Sequence, residues 1–365
     1  MNILMTADCV GGVWNYALEL ARGLQRHCCV IHLVVFGKRL SAAQRTEVAG
    51  LENVRCTESD LRLEWMDDPW DDLEAAAGLL QALAEEVEPI LVHLNGYALA
   101  ARAAWRVPIV IGAHSCVLSW WNAVKREPAP PWLCRYRQEV AAGLSAADAV
   151  VAPTNAILND LRRIYDIDFR GTVIGNGIDP TDFAIGDKYP QILSAGRLWD
   201  QAKNIQLLDS VAENIAWPIF IAGEIASPVS GSERRFGHVR ALGRLDYSAL
   251  RQQLSRTSIY AAPALYEPFG LAVLEAALSG CALVLANIPS FRELWHGAAV
   301  LIDPLDPGKW ETALNGLISD PKARAALAEK ACIRAKRFNR ELMSDRYHKL
   351  YRELVKRSEE AGIVA

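Results

Sequence analysis

Two glutamates separated by seven residues are the side chains of this chain best suited to chemistry. Glu267 precedes Pro268-Phe269-Gly270-Leu271, and Glu275 lies about two helical turns further on. Proline and glycine shape a turn, and the first N–H groups of the helix that follows have no partner within it. Because such groups bind phosphate or sugar hydroxyls, one carboxylate can face a reacting sugar while the other reaches a ribose. A capping turn with a surface glutamate is the alternative.

Two cations follow a predicted strand earlier in the same half. Arg197 completes Ser194-Ala195-Gly196-Arg197, and Lys203 lies six residues later. The planar fork of arginine and the point charge of lysine both suit a pyrophosphate leaving group. Two solvated surface cations are the alternative interpretation.

The first half of the chain carries a glycine pair, a histidine and two neighbouring tryptophans. Gly11 and Gly12 join the first strand to the first helix, where a backbone without Cβ atoms can approach a diphosphate. A plain tight turn explains them as well, and the pattern is not the G-x-G-x-x-G of nicotinamide-binding domains. His114 ends a strand. Trp120 and Trp121 lie in an aromatic and basic stretch that fits sugar stacking, a membrane surface, or core and lid packing.

Short apolar runs alternate with helical segments along the chain, which is typical of parallel sheets covered by helices. The predicted strands are Ile3–Thr6, Val30–Phe36, Ile90–Leu94, Pro108–Ala113, Ala149–Ala152, Gln191–Ala195, Ile219–Ala222, Val239–Leu242, Ile259–Ala261, Leu283–Ala286 and Ala299–Ile302. The predicted helices include Gly12–Arg26, Asp71–Glu88, Leu133–Leu144, Asn155–Tyr165, Asn204–Glu213, Gly270–Ser279 and Lys309–Leu317.

A stretch rich in Gly, Pro, Asp and Asn, 171–190, interrupts this alternation. We therefore predict an α/β protein of two doubly wound, Rossmann-like domains, 1–168 and 169–337, with a helix over about 338–365 packing back on the first. Ligands of such sheets bind beyond the carboxyl ends of the strands, so we expect the site in a cleft between the domains. The polar segment 224–237 is not assigned a role.

Composition excludes several classes of protein. A net charge of −4 lacks the basic excess of a nucleic-acid-binding protein. Eight cysteines without a C-x-x-C pair indicate a reducing, cytoplasmic location, and neither a signal peptide nor a membrane-spanning run is predicted. Asp166 and Asp168 match a metal-binding D-x-D, but they end a helix rather than follow a strand, so we predict no metal site.

On these motifs the chain resembles glycosyltransferase family 4, the retaining group 1 glycosyltransferases with the GT-B fold. The resemblance implies that Glu267 lies at the transferred sugar as a catalytic residue and that His114 also meets this sugar. It implies donor-binding roles for Glu275 at the ribose, for the backbone of Phe269, Gly270 and Leu271, and for Gly11, Gly12, Arg197, Lys203 and Arg244. In this fold the first domain usually contacts the acceptor, which makes Trp120 and Trp121 the acceptor candidates.

The function that this resemblance implies is metal-independent transfer of a sugar, with retention, from a UDP- or GDP-type nucleotide diphosphate sugar. No other cofactor is expected. The acceptor is unknown and could be a glycan, a lipid-linked compound or a small molecule, with at most peripheral contact to a membrane and no nucleic acid. A nucleotide-sugar epimerase of the same fold and a catalytically silent sugar-nucleotide-binding protein are the alternatives.

Overall fold

The computed structural model describes residues 1–9, 11–226 and 234–362, which form two compact α/β units. The first unit contains Met1–Asn122, Glu127–Ile178 and the C-terminal segment from Arg340. The second contains Asp179–Asn339 together with the short segment Ala123–Arg126. The chain thus leaves the first unit after Ile178 and returns to it for its last helix.

A seven-stranded parallel sheet forms the centre of the first unit, in the order β3-β2-β1-β4-β5-β6-β7. Its strands are β1 (Asn2–Asp8), β2 (Val30–Phe36), β3 (Val54–Glu58), β4 (Leu91–Leu94), β5 (Ile109–Gly112), β6 (Ala149–Ala152) and β7 (Gly171–Val173). The five strands predicted from apolar runs occupy the interior, where both faces are buried. The two that the pattern misses, β3 and β7, are the edges, where polar residues or glycine interrupt the apolar run.

Helices cover this sheet, and the last of them comes from the end of the chain. They are α1 (Gly12–Gln25), α2 (Ala42–Ala49), α3 (Trp70–Val87), α4 (Leu99–Arg102), α5 (Val117–Val124), α6 (Cys134–Ala146), α7 (Asn155–Tyr165) and, later in the chain, α14 (Arg340–Glu360). α14 packs on α1, where the Arg340 guanidinium lies 2.7 Å from the Glu19 carboxylate and Ser344 fills the space left by Gly23.

The second unit contains a six-stranded parallel sheet in the order β10-β9-β8-β11-β12-β13. Its strands are β8 (Tyr189–Ala195), β9 (Ile219–Ala222), β10 (Arg240–Ala241), β11 (Thr257–Ala262), β12 (Ala282–Ala286) and β13 (Val300–Ile302). Its helices are α8 (Ile205–Val211), α9 (Tyr247–Arg256), α10 (Leu271–Leu278), α11 (Pro289–Trp295), α12 (Pro307–Ser319) and α13 (Pro321–Ala335). All six strands appear where the alternation of apolar and helical segments predicts them.

The strand orders locate the loops that can hold ligands. The winding reverses between β1 and β4 in the first sheet and between β8 and β11 in the second. Loops at the carboxyl ends of the strands beside such a reversal form the usual binding crevice of a doubly wound sheet. Those loops carry Gly11, after β1, in the first unit, and Arg197 and Glu267 in the second, whereas His114 follows β5, the next strand beyond β4.

In the part of the chain that the structure describes, no helix combines the length and the apolarity needed to cross a bilayer.

Candidate active site

The loop between β11 and α10 holds the first of the two glutamates. Gly270 adopts a left-handed φ of 86° and caps α10 without contributing a side chain. A Cβ atom at this position would lie 3.0 Å from a ring carbon of Phe291 and 3.2 Å from a methyl of Val273, so the left-handed φ and the close contacts both favour glycine. The N–H groups of the first turn are therefore left without a side-chain cap, as a phosphate site at a helix N-terminus needs.

Lys203 and Glu267 form an ion pair at this loop. Both side chains are largely buried, with 21% and 17% of their surface exposed. The segment that carries Lys203 is tied to the glutamate's loop, because the Leu265 amide donates to the Ala202 carbonyl at 2.8 Å. The Asn204 side-chain amide donates to the carbonyls of Pro263, at 3.0 Å, and of Pro304. Residues 64 positions apart in sequence are thus held together by backbone contacts as well as by charge.

The backbone of Glu267 is fixed from the next helix. The Ser290 hydroxyl, in the first turn of α11, donates to the Glu267 carbonyl. The aromatic ring of Phe269 is buried and meets Phe338 edge-on, with 5.5 Å between ring centroids. The Glu267 carboxylate therefore stands on a loop whose backbone and neighbouring ring are both anchored.

Glu275, on α10, is buried in the second unit, with 5% of its surface exposed. Burial raises the pKa of its carboxyl to about 7, and the cation of Arg251 on α9 offsets this only in part. Arg251 itself is held by Asp182 at 2.7 Å and lies 4.0 Å above the ring of Tyr247. At neutral pH the Glu275 carboxyl is accordingly divided between its protonated and ionised forms.

The two predicted donor-binding arginines have carboxylate partners of their own. Arg197, about half exposed, lies 3.2 Å from the buried Asp200, whose other oxygen accepts from the Ala202 amide. Arg244 is 77% exposed and lies 2.8 Å from Glu224. The role of both arginines at a donor stays a prediction.

In the first unit, the predicted residues lie at the ends of β1 and β5. Gly11 is the N-cap of α1, with φ 85°, and Gly12 is the helix's first residue; Val10, in the same loop, lies outside the described residues. His114 follows β5 and is partly exposed, and its ring lies 4.2 Å from that of Tyr16, centroid to centroid. Burial lowers the pKa of His114 to about 4, so its imidazole is neutral at physiological pH.

The two acceptor candidates lie side by side on α5. Their ring centroids are 6.4 Å apart, and Trp121 meets the ring of Trp132 edge-on at 6.2 Å. Both Trp120 and Trp121 are partly buried, whereas Trp132 is 73% exposed. These rings form an aromatic surface of the kind that stacks on sugars. Their contacts with one another also stabilise α5.

The sequence motifs do not include three residues that organise these groups: Asn95, Ser290 and Arg251. Asn95 follows β4 and accepts a hydrogen bond from the His114 ring. A signal for it was present, since polar residues directly after a buried strand lie at the binding edge of a parallel sheet. Ser290 and Arg251 are ordinary helix residues in the sequence, so no local pattern marks them. Within the unassigned segment 224–237, residues 227–233 lie outside the described residues.

Two family models match the chain in succession. The model described as Glycosyltransferase Family 4 matches residues 10–182, and the one described as Glycosyl transferases group 1 matches residues 178–333. The second range contains both glutamates, Arg197 and Lys203, and the first contains Gly11, Gly12 and His114.

Curated relatives with similar sequences are sugar-transferring enzymes. The D-inositol 3-phosphate glycosyltransferase of Xylanimonas cellulosilytica is 28% identical over 90% of this chain and 88% of its own length. The phosphatidyl-myo-inositol mannosyltransferase of Mycolicibacterium smegmatis is 27% identical over 53% of this chain and 55% of its own.

Solved structures share the architecture. A sucrose-phosphate synthase from Thermosynechococcus elongatus superposes with a TM-score of 0.79 at 18% identity, over 97% of this chain and 99% of that one. Anabaena HepE, solved in complex with UDP and glucose, gives 0.73 at 17% identity, over 97% and 100%. At such identities the likeness establishes the fold, which is GT-B as predicted.

Proposed function

The chain belongs to glycosyltransferase family 4, the group 1 glycosyltransferases, and we propose that it moves a sugar from a UDP- or GDP-type nucleotide diphosphate sugar to an acceptor hydroxyl with retention of the anomeric configuration. The observation that carries this proposal is the ion pair of Lys203 and Glu267 beside the uncapped first turn of α10. A cation, a carboxylate and a helix N-terminus without a side-chain cap stand together on anchored backbone, which suits a reaction that separates a diphosphate anion from a sugar cation.

Charge exchange at this pair gives the proposed mechanism. The diphosphate competes with Glu267 for Lys203, and the N–H groups of α10 bind its remaining charge. As the bond from the sugar to the diphosphate breaks, positive charge grows on the anomeric carbon, and the Glu267 carboxylate stabilises it electrostatically. The acceptor hydroxyl attacks from the face that the diphosphate leaves, and its proton passes to the departing phosphate oxygen, so the configuration is retained.

The remaining predicted residues complete the proposal. Glu275 binds the donor ribose. Arg197 either leaves its ion pair with Asp200 to bind the diphosphate or stabilises the charge of the diphosphate across intervening water. His114 accepts or donates a hydrogen bond at the transferred sugar, and Trp121 stacks on the acceptor. Basic groups neutralise the leaving group in place of a divalent cation, so transfer needs no metal.

Two measurements test the function. A panel of UDP- and GDP-sugars is screened for a rise in melting temperature, since a ligand at about 100 times its Kd stabilises by about 2.7 kcal/mol. The stabilising donor is then incubated with candidate acceptors, including D-inositol 3-phosphate, and the anomeric configuration of the product is read by NMR. An inverted product refutes retention; isomerised donor without transfer identifies an epimerase, and binding without any turnover identifies a silent binding protein.

Glu267→Gln tests the assigned chemistry. The amide keeps the shape and removes the charge, so kcat should fall by about 10²–10³, the loss that follows removal of one electrostatic stabiliser, while the donor binds no more weakly, because its diphosphate no longer competes with a carboxylate for Lys203. Melting of the variant checks that it folds although Lys203 has lost its partner. Glu360→Gln, which removes an exposed carboxylate of α14 paired with Lys356, is the matched control and should keep full turnover. Near-full turnover of Glu267→Gln contradicts the assignment.

A further inference from the structure

A hydrogen-bonded chain of residues ends on the ring of His114. The Asn95 backbone N–H donates to the Thr6 hydroxyl at 2.9 Å, and the Asn95 side-chain nitrogen donates to the Thr6 backbone carbonyl at 2.7 Å. The third contact joins Asn95 Oδ1 to His114 Nε2 at 2.8 Å. Thr6 belongs to β1, Asn95 follows β4 and His114 follows β5, so three neighbouring strands of one sheet position this chain.

The direction of each hydrogen bond follows from the chemistry of the groups. A backbone carbonyl can only accept, so the atom of Asn95 that faces Thr6 O is the NH₂ group. The atom that faces His114 is then the amide oxygen, which also can only accept. His114 Nε2 must therefore carry a hydrogen, and this conclusion requires no observed hydrogen position.

From this geometry we infer that Asn95 is a positioning residue, which fixes the hydrogen of His114 on Nε2 and leaves Nδ1 as the nitrogen that accepts a hydrogen bond from a ligand hydroxyl. The inference deepens the proposed function and rests on it for the ligand, a hydroxyl of the transferred sugar. A histidine whose ring could switch its hydrogen between the nitrogens would offer Nδ1 as a donor part of the time. The hydrogen bond to Asn95 keeps the hydrogen on Nε2, so Nδ1 is available as an acceptor all of the time.

Gly112 makes the arrangement possible. A Cβ atom at this position would lie 2.4 Å from Asn95 Oδ1 and 3.0 Å from the Nε2 atoms of both His114 and His93. Any side chain there would push the amide away from the imidazole. Glycine at the end of β5 therefore serves the hydrogen bond, because the φ of this residue is not left-handed and imposes no such need.

The surroundings keep the imidazole neutral. Tyr16 on α1 packs against the His114 ring, and His93 on β4 lies beyond Gly112. Tyr347 and Tyr351 on α14 pack on His93, and the Tyr351 hydroxyl lies 2.6 Å from His93 Nδ1. Burial raises the pKa values of these tyrosines and lowers that of His93, so all four groups are uncharged at neutral pH. A neutral His114 with hydrogen on Nε2 has a lone pair on Nδ1.

NMR of the full chain tests the inference without reference to activity. With ¹⁵N-labelled histidine, two-bond correlations between ring protons and ring nitrogens distinguish the two neutral forms and the imidazolium, and loss of one pattern in His114→Gln assigns this residue. At pH 7 we expect His114 to carry its hydrogen on Nε2. A hydrogen on Nδ1, a mixture of both forms, or an imidazolium overturns the inference, whatever the protein's activity.

Substitutions separate positioning from packing. Gly112→Ala should displace Asn95, mix the two forms of His114 and lower kcat about tenfold, the loss expected for one neutral hydrogen bond. Gly78→Ala is the matched control, because a Cβ atom on Gly78 of α3 meets no atom within 4 Å. Unchanged NMR signals of His114 in a folded Gly112→Ala variant contradict the inference.

Asn95→Asp gives the decisive pH profile. The carboxylate still accepts from Nε2 but stabilises the imidazolium, so the pKa of His114 should rise. The variant should lose turnover as the pH falls and recover it at higher pH, which a loss of packing alone cannot produce. A pH-independent defect contradicts the inference. If the wild-type protein transfers no sugar from any donor, the proposed function fails, while the NMR result still decides the role of Asn95.

Discussion

The buried carboxyl of Glu275 should make the affinity for the donor depend on pH. Burial raises the pKa of this carboxyl to about 7, with Arg251 offsetting part of the effect. A ribose donates its hydroxyl hydrogens to a carboxylate better than to a carboxylic acid, so the donor binds the ionised form. The apparent Kd is then multiplied by 1 + 10^(pKa − pH), which makes the donor about tenfold weaker at pH 6 than at pH 8, with about half a proton released per donor bound at pH 7.

The assay is calorimetry with a nucleotide diphosphate sugar, whose two phosphates do not titrate between pH 6 and pH 8. Titrations at three pH values, each in two buffers of different ionisation enthalpy, give both the slope of Kd and the protons released. The sign is fixed by the mechanism: affinity rises with pH and levels off above the pKa of the free protein, because only the deprotonated carboxyl accepts the ribose hydroxyls.

Glu275→Gln provides the critical comparison. It should weaken the donor about 10- to 100-fold at pH 8, the effect of losing a hydrogen bond to a charged group. It should also abolish the slope between pH 6 and pH 8, since the amide does not titrate. Glu267→Gln is the control and should keep the wild-type slope. A slope that survives in Glu275→Gln would show that another group titrates, and a flat wild-type profile would refute the role of an ionised Glu275 in donor binding.

Three further outcomes are expected. Trp121→Ala should raise the acceptor KM and leave the donor Kd nearly unchanged in steady-state and calorimetric measurements; an equal loss of donor affinity, or of folding, means that the ring is a packing residue. Turnover should survive a chelator, and strict dependence on added Mg²⁺ or Mn²⁺ would count against transfer without metal and bring Asp166 and Asp168 back as ligands. Stability should fall with pH below 6.5, because burial lowers the pKa of His93 to about 3 and the unfolded chain takes up the proton first. Denaturant unfolding should show a loss of up to about 3 kcal/mol between pH 6.5 and pH 4 that is smaller in His93→Gln, and equal losses in both proteins would exclude His93.

Features that depend on local patterns were predictable from the residues alone. Continuous apolar runs predicted the interior strands of both sheets, because strands buried on both faces have no polar side chains to interrupt them. The turn before α10 was predicted from proline and glycine, and α10 follows that turn from Leu271 to Leu278. The edge strands β3 and β7 were not predicted, since an edge strand is paired on one side only and polar residues or glycine can interrupt its apolar run.

How these residues act on one another depends on contacts between distant segments. No local pattern predicts that Lys203 meets Glu267 across 64 positions, or that Asn95 orients His114. The raised pKa of Glu275 likewise belongs to neither its residue type nor its neighbours in sequence. It arises from desolvation of the carboxyl in the packed second unit, and the opposing charge of Arg251, which lowers the pKa in part, comes from another helix. Side-chain type and spacing therefore indicated the candidate groups. Their charge states and partners depend on contacts that form only when distant segments pack together.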